Sequence, residues 1–167
     1  VIPLGIHTQD FEFTDAQKAT ARQALGADQN TVVVLYVGRL SFHAKAHPLA
    51  MFQALEKAAS ALAASGKKIV LVECGWHANE FIQNAYQEAA SQACPNVQVI
   101  TLDGRLASAR ETAWAGDDVF CSLSDNIQET FGIVPIEAMA AGLPVVVSDW
   151  DGYKDTVRHE VDGFRIN

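Results

Sequence analysis

The chain has 167 residues, a length that fits one domain with a sizeable buried core. Hydrophobic residues make up 49% of it and charged residues 19%, a globular composition that excludes a disordered chain. The net charge of -8 argues against nucleic acid or an anionic membrane surface as the main partner.

Helices and strands alternate along the sequence. The capping-box pattern Thr14-Asp15-Ala16-Gln17 predicts a first helix that ends at Gly26. Residues 31–37 form an apolar, β-branched run, which is typical of a strand buried on both faces of a parallel sheet. The remaining predicted elements are a helix after Pro48, a strand over 69–74, a helix over 79–92, a strand over 97–102, a helix over 106–114, a strand over 119–123, a helix over 132–141, a strand over 145–148, a short helix near 153–158 and a strand over 163–166.

This alternation predicts one α/β domain over residues 1–167, with a doubly wound, mostly parallel open sheet of the Rossmann-like kind. Ligands of such folds bind beyond the carboxyl ends of the strands, near a switch in strand order. The chain starts at Val1 without an initiator methionine, so we expect a fragment of a longer protein. Cys74, Cys94 and Cys121 lack zinc spacing and indicate reduced thiols, hence a cytoplasmic location.

The sequence lacks the motifs of three kinds of site that are common on such a sheet. The sequence has no G-x-G-x-x-G after its first strand, no G-x-x-x-x-G-K-[ST] and no G-x-S-x-G. A dinucleotide site, a P-loop and a nucleophile elbow are therefore disfavoured.

The segment from Glu129 to Gly142 is the most informative. Pro135 has to lie in the first turn of its helix, because its ring would clash with the backbone deeper in the helix. Gly132 lets a ligand approach the backbone at that turn. The amide groups and the dipole of the helix start predict an anion site there.

Two carboxylates, Glu129 and Glu137, flank that anion site. Ionised carboxylates accept hydrogen bonds and donate none, so their natural partners are hydroxyl groups on both sides of a diphosphate. Between Glu111 and Tyr153 there is no lysine or arginine. The loop after the first strand offers Arg39 and Lys45 as the missing positive charge.

These residues resemble a known family. The Glu-x7-Glu segment with Phe131-Gly132 and the continuation Ala138-Met139-Ala140-Ala141-Gly142-Leu143-Pro144-Val145-Val146 is similar to the family 4 (group 1) retaining glycosyltransferases, in their C-terminal, donor-binding domain of the GT-B fold. The stretch Val37–Leu40 with Lys45, the start Val1–Ile6 and the end Asp162–Ile166 extend this resemblance over nearly the whole chain.

The resemblance implies a role for each matching residue. Glu137 would hold the ribose hydroxyls and Glu129 the hydroxyls of the donor sugar, while Arg39 and Lys45 would neutralise the diphosphate. The base would lie near Leu102 and Asp103. Counted together, the expected catalytic residues are Arg39, Lys45 and Glu129, and the expected donor-binding residues are Gly38, Leu102, Asp103, Glu129, Thr130, Phe131, Gly132, Ile133, Val134 and Glu137.

The family further implies a nucleoside-diphosphate sugar as the substrate, with no cofactor and no metal, and an N-terminal acceptor domain as the partner. Two other functions stay open, a nucleotide-sugar epimerase of the same plan and a non-catalytic nucleotide- or protein-binding module. Membrane association of the intact enzyme is open as well. The segment Phe42–Pro48, with His43 and His47, is unusual for the family and remains without an assigned role.

Overall fold

The computed structural model describes residues 5–43, 45–124 and 132–167. The strands are β1 (Thr31–Leu40), β2 (Lys68–His77), β3 (Gln98–Asp103), β4 (Val119–Ser122), β5 (Val145–Ser148) and β6 (Gly163–Ile166). The helices are α1 (Asp15–Ala24), α2 (Pro48–Ala63), α3 (Glu80–Ala93), α4 (Ala107–Gly116), α5 (Ile133–Ala140) and α6 (Tyr153–Thr156), and one 3-10 turn covers Thr8–Phe11. The predicted capping box is present, since Thr14 and Gln17 exchange hydrogen bonds at the start of α1.

The six strands form one parallel sheet in the order β3-β2-β1-β4-β5-β6. The chain builds outward from β1 to β3 and then returns to place β4 on the other side of β1. This reversal is the topological switch point of a doubly wound sheet. The predicted α/β fold class is therefore confirmed.

Helices cover both faces of the sheet, because the side chains of each strand alternate between the faces. On one face, Val33 and Leu35 of β1 pack with residues of α1, α4 and α5. On the other face, Val34 and Tyr36 of the same strand pack with residues of α2 and α3. Within the described residues, no helix is both long enough and apolar enough to cross a bilayer.

Two strands extend beyond their predicted ends. The apolar run ends at Val37, yet β1 continues to Leu40 and β2 continues to His77. The two strands stay paired to the end, with Gly38 opposite Gly75 and Arg39 opposite Trp76. The extension carries the polar end of β1 to the carboxyl edge of the sheet.

Candidate functional site

The candidate site lies at the carboxyl edge of the sheet, where β1 and β4 are neighbours. The segments that follow these two strands belong to opposite halves of the topology, and such a divergence opens a crevice between them. Most of the residues that the sequence singles out lie at the end of β1 or after it, at the end of β3, or at the start of α5.

The end of β1 brings bare backbone to this edge. Gly38 has a φ of +155°, which a residue with a side chain rarely adopts. Its carbonyl oxygen occupies the space of a side chain on Gly75, where a Cβ would lie 1.9 Å from that oxygen. Gly38 therefore requires glycine because of its φ, and Gly75 requires glycine because of the close approach of the Gly38 carbonyl oxygen.

Arg39 follows Gly38 and is exposed at the edge. Its partner across the β1–β2 ladder is Trp76, which is 40% exposed. Lys45 lies further along the β1–α2 connection and is partly buried. The structure thus places one predicted cation, Arg39, at the end of β1 and the other, Lys45, in the connection that follows β1.

The residues around Lys45 are anchored to α2 and α3. The Tyr86 hydroxyl donates to the Ser41 carbonyl oxygen at 3.3 Å, and the Phe42 ring lies 4.7 Å from the Tyr86 ring. His47 caps α2, because its Nδ1 accepts from the Leu49 amide at 3.3 Å. This gives the segment Phe42–Pro48 a structural role, since its aromatic side chains fix the connection that carries Lys45.

Helix α5 begins at Gly132, which has a φ of +72° and no side chain to cap the helix. A Cβ at this position would lie 2.2 Å from Cε1 of Tyr153, so the ring itself excludes any other residue. Ile133, Val134 and the buried Pro135 form the first turn, as predicted for the proline, and this turn contains no acidic side chain. Only Ile133 and Val134 have amide N–H groups there. Their amides and the helix dipole suit an anion, as the sequence predicts.

Glu137 lies one turn further along α5, partly buried in a cleft of about 530 Å³ that we call the Glu137 cleft. Its walls include Val37 at the end of β1, Trp114 and Arg110. Burial raises the pKa of the Glu137 carboxyl, and the nearby Arg110 charge partly opposes that rise. A carboxylate in this position is an acceptor aimed into a space of small-ligand size.

Arg110 is a residue that the sequence reasoning missed. Its Nη1 donates to the Gly104 carbonyl oxygen at 2.7 Å, so one side chain links the end of β3 to the surroundings of Glu137. Its position in the sequence could have identified it, because Arg110 lies in the first helix after β3 and is the last basic residue before the stretch that has no lysine or arginine.

Leu102 and Asp103 end β3 and precede Gly104, the residue that Arg110 contacts, and Leu102 is partly buried. The Arg105 guanidinium binds the Asp103 carboxylate in a bidentate pair. Its Nε donates to Oδ1 and its Nη2 donates to Oδ2, each at 2.8 Å. These bonds lower the pKa of Asp103 to about 2. Because the carboxylate is already held by Arg105, a base at this edge would meet backbone atoms rather than the Asp103 side chain.

Three of the predicted site residues, Glu129, Thr130 and Phe131, lie outside the described residues. Their roles therefore stay predictions. Among the predicted residues that are described, Glu137, Gly132, Ile133 and Val134 share α5 and its start, Gly38, Arg39 and Lys45 belong to β1 and the connection after it, and Leu102 and Asp103 end β3.

Comparison with known proteins points to one family. The model of the family described as "Glycosyl transferases group 1" matches residues 17–167. An uncharacterized glycosyltransferase of Methanocaldococcus jannaschii is 28% identical over 99% of this chain, which covers 40% of that relative's length.

Solved structures share the fold. The Anabaena protein HepE in complex with UDP and glucose superposes with a TM-score of 0.69 at 24% identity, over 97% of this chain and 41% of that one. The C-terminal domain of a group 1 family glycosyl transferase (LpcC) from Francisella tularensis superposes with a TM-score of 0.63 at 14% identity, over 97% of this chain and 80% of that one.

Proposed function

The chain belongs to the group 1 glycosyl transferases, and from this we propose that it is the donor-binding domain of a retaining, metal-independent glycosyltransferase. The observation that carries the proposal is the position of Glu137. This hydrogen-bond acceptor lines a cleft and lies one turn after the start of α5, which no side chain caps. The intact protein would add an N-terminal acceptor domain, and the chain spans 40% of the length of its methanococcal relative.

The diphosphate would lie between the start of α5 and the end of β1. The amides of Ile133 and Val134 would face its oxygens from one side, while Arg39 and Lys45 would supply the countercharge from the other. As the bond between sugar and diphosphate breaks, negative charge grows on the leaving group. Preorganised donors and cations at that place lower the barrier most.

Glu137 would accept hydrogen bonds from the two ribose hydroxyls. An ionised carboxylate accepts at both oxygens and so matches a pair of adjacent hydroxyls. Arg110 supports this role, because its charge opposes the effect of burial and favours the ionised form. The base would lie against the backbone around Leu102 and Gly104, whose carbonyl oxygen Arg110 holds in place.

The residues outside the described part of the chain complete the proposal by family resemblance. Glu129 would bind the hydroxyls of the donor sugar, and the backbone of Thr130 and Phe131 would extend the phosphate site. Orientation of the sugar by Glu129 would hold its reacting carbon in line with the acceptor.

We also propose a cytoplasmic location and a reducing environment. All three cysteines are free thiols buried in the sheet or its packing, a state that reducing compartments preserve. Contact of the intact enzyme with a membrane would depend on parts of the protein other than this domain.

Calorimetric titration of the chain with UDP, GDP and ADP tests the proposal. UDP is the first ligand to examine because the Anabaena neighbour was solved with it. We expect one nucleotide to bind, with a loss of about tenfold in Glu137→Gln, as lost hydrogen bonds to a charged acceptor cost ~1.5 kcal/mol or more. Arg39→Ala should weaken binding and reduce its dependence on salt.

The matched control is Glu88→Gln, which neutralises an exposed carboxylate on α3 instead. Nucleotide affinity should stay unchanged in this variant. Equal affinity in the original chain and in Glu137→Gln and Arg39→Ala would favour a module that does not use this cleft for nucleotides.

A further inference from the structure

A second cleft, of about 640 Å³, lies on the other face of the sheet from Glu137. It opens between α3 and the strands β2 and β3 and is called here the Glu73 cleft. Its polar lining is Glu73, His77, Thr101, Gln83, Gln87 and Ser91, and its apolar lining is Tyr86, Ala90, Cys94, Pro95, Val97 and Val99. Its size falls within the range of about 300–1,000 Å³ that small-molecule sites occupy.

The cleft exists because β3 is the last strand of the sheet on this side. Helix α3 packs Tyr86 and Ala90 into the core but leaves the outer strand only partly covered. Val99 is therefore half-buried and Thr101 is exposed, although both point to the helical layer. A groove with a solvent entrance results at the edge of the fold.

Glu73 makes this groove chemically unusual. It interrupts an otherwise apolar strand and is 3% exposed, so its carboxyl group is almost fully removed from water. The Thr101 side chain hydrogen-bonds to it, while Oε1 has no partner among the described residues. A buried polar atom without a partner destabilises the fold, and a ligand that supplies the partner recovers that loss.

His77 supplies a second unpartnered atom on the same side of β2. Its Nε2 is buried and has no partner among the described residues, and its ring packs against Tyr86 at 5.1 Å. It lies four positions after Glu73, a distance of about 13 Å along a strand. The cleft therefore offers two hydrogen-bonding points along β2.

We propose that the Glu73 cleft is a second ligand site, which binds a neutral polyhydroxylated molecule of about one or two sugar rings. Among the described residues, the lining contains no lysine or arginine, so an anion would find no countercharge. The side chains of Gln83, Gln87, Ser91 and Thr101 both donate and accept, as hydroxyl groups do.

A neutral ligand also suits the protonation of Glu73. Burial raises the pKa of this carboxyl to about 7, although the hydrogen bond from Thr101 opposes the rise. The neutral form of this carboxyl group therefore persists to a higher pH than in an exposed glutamate. A hydroxyl can accept from the acid and donate to the carboxylate, whereas an ammonium ion would pair with only one form and would lose its hydration.

Nuclear magnetic resonance titration of the chain with glucose and with maltose tests the proposal, with putrescine and inorganic phosphate as counter-probes. We expect a sugar to shift amide signals of β2, β3 and α3 with a dissociation constant in the millimolar range. Glu73→Leu should weaken that affinity at least tenfold, and Thr101→Val should weaken it severalfold. Both changes keep the approximate shape of the side chain, and Glu73→Leu removes a buried carboxyl oxygen that has no partner among the described residues, so both variants should fold.

The control variant is Asp155→Asn, an exposed carboxylate on α6, which packs on the opposite face of the sheet, and it should leave sugar affinity unchanged. UDP affinity measured on the Glu73→Leu sample should also be unchanged, which separates this site from the proposed donor site. The proposal is wrong if neither sugar binds at concentrations up to about 50 mM, where millimolar affinities would be saturated. It is equally wrong if only putrescine or phosphate binds, or if sugar affinity survives in Glu73→Leu.

Discussion

Asp117 is a carboxyl group whose surroundings oppose its charge. It is 8% exposed, and both carboxyl oxygens lack a partner among the described residues. Burial, helped by the adjacent charge of Asp118, raises its pKa from 3.8 to about 8. The folded state therefore keeps a proton that the unfolded state releases, and stability falls as the pH rises through this window.

We expect Asp117→Asn to remove this decrease in stability with rising pH. At pH 8 the free energy of unfolding of the variant should exceed that of the original chain by about 2 kcal/mol. This figure allows for the cost of the new amide, which is itself buried without a full set of partners. At pH 4 the two chains should differ little. Urea unfolding at both pH values measures the difference. Asp118→Asn is the matched control and should lose stability, because Asp118 accepts from the Val33 amide at 2.8 Å and from Arg22 at 2.9 Å. An identical pH dependence in Asp117→Asn and the original chain would contradict the expectation.

At the scale of the element, the stability of α5 depends on the glycine that precedes its first turn. Gly132 combines a positive φ with direct contact to Tyr153, whose hydroxyl lies 3.1 Å from Ser122 Oγ. Gly142, just after the same helix, also has a positive φ, but a Cβ there would meet no atom within 4 Å. The two positions therefore separate backbone strain from steric exclusion.

We expect Gly142→Ala to cost about 1 kcal/mol of unfolding free energy, the effect of the backbone alone. Gly132→Ala should cost about 3 kcal/mol, because overpacking against the Tyr153 ring adds to the same strain. Urea unfolding of both variants gives the comparison. Equal losses in the two variants would show that the ring moves aside without cost.

Sequence patterns predicted the elements well wherever the physical signal was local. The apolar run of β1 and the capping box of α1 depend on neighbouring residues, and both appear as expected. The continuation of β1 beyond Val37 was missed, because Gly38 is held by pairing with Gly75 on another strand. The environment of Arg110 was missed for the same reason, since its partners Gly104 and Glu137 meet it only through tertiary structure.

At the scale of the whole molecule, every described residue of the proposed donor site comes from one edge of one sheet. A sugar transfer also needs an acceptor held within reach of the donor carbon, and water kept away from it. These tasks call for a second wall across the crevice. We therefore expect this chain alone to bind UDP and to transfer no sugar.

Incubation of the chain with UDP-glucose and simple sugar acceptors, with UDP release and glycoside formation as readouts, measures this. Turnover should fall well below the ~1–10³ s⁻¹ of typical enzymes, and calorimetric binding of UDP by the same sample should demonstrate that the domain is folded and competent. Loss of UDP binding in Glu137→Gln on that sample ties the inactive complex to the proposed cleft. Glycoside formation at an ordinary enzymatic rate would refute the two-domain proposal, because a single sheet edge would then suffice to hold both substrates.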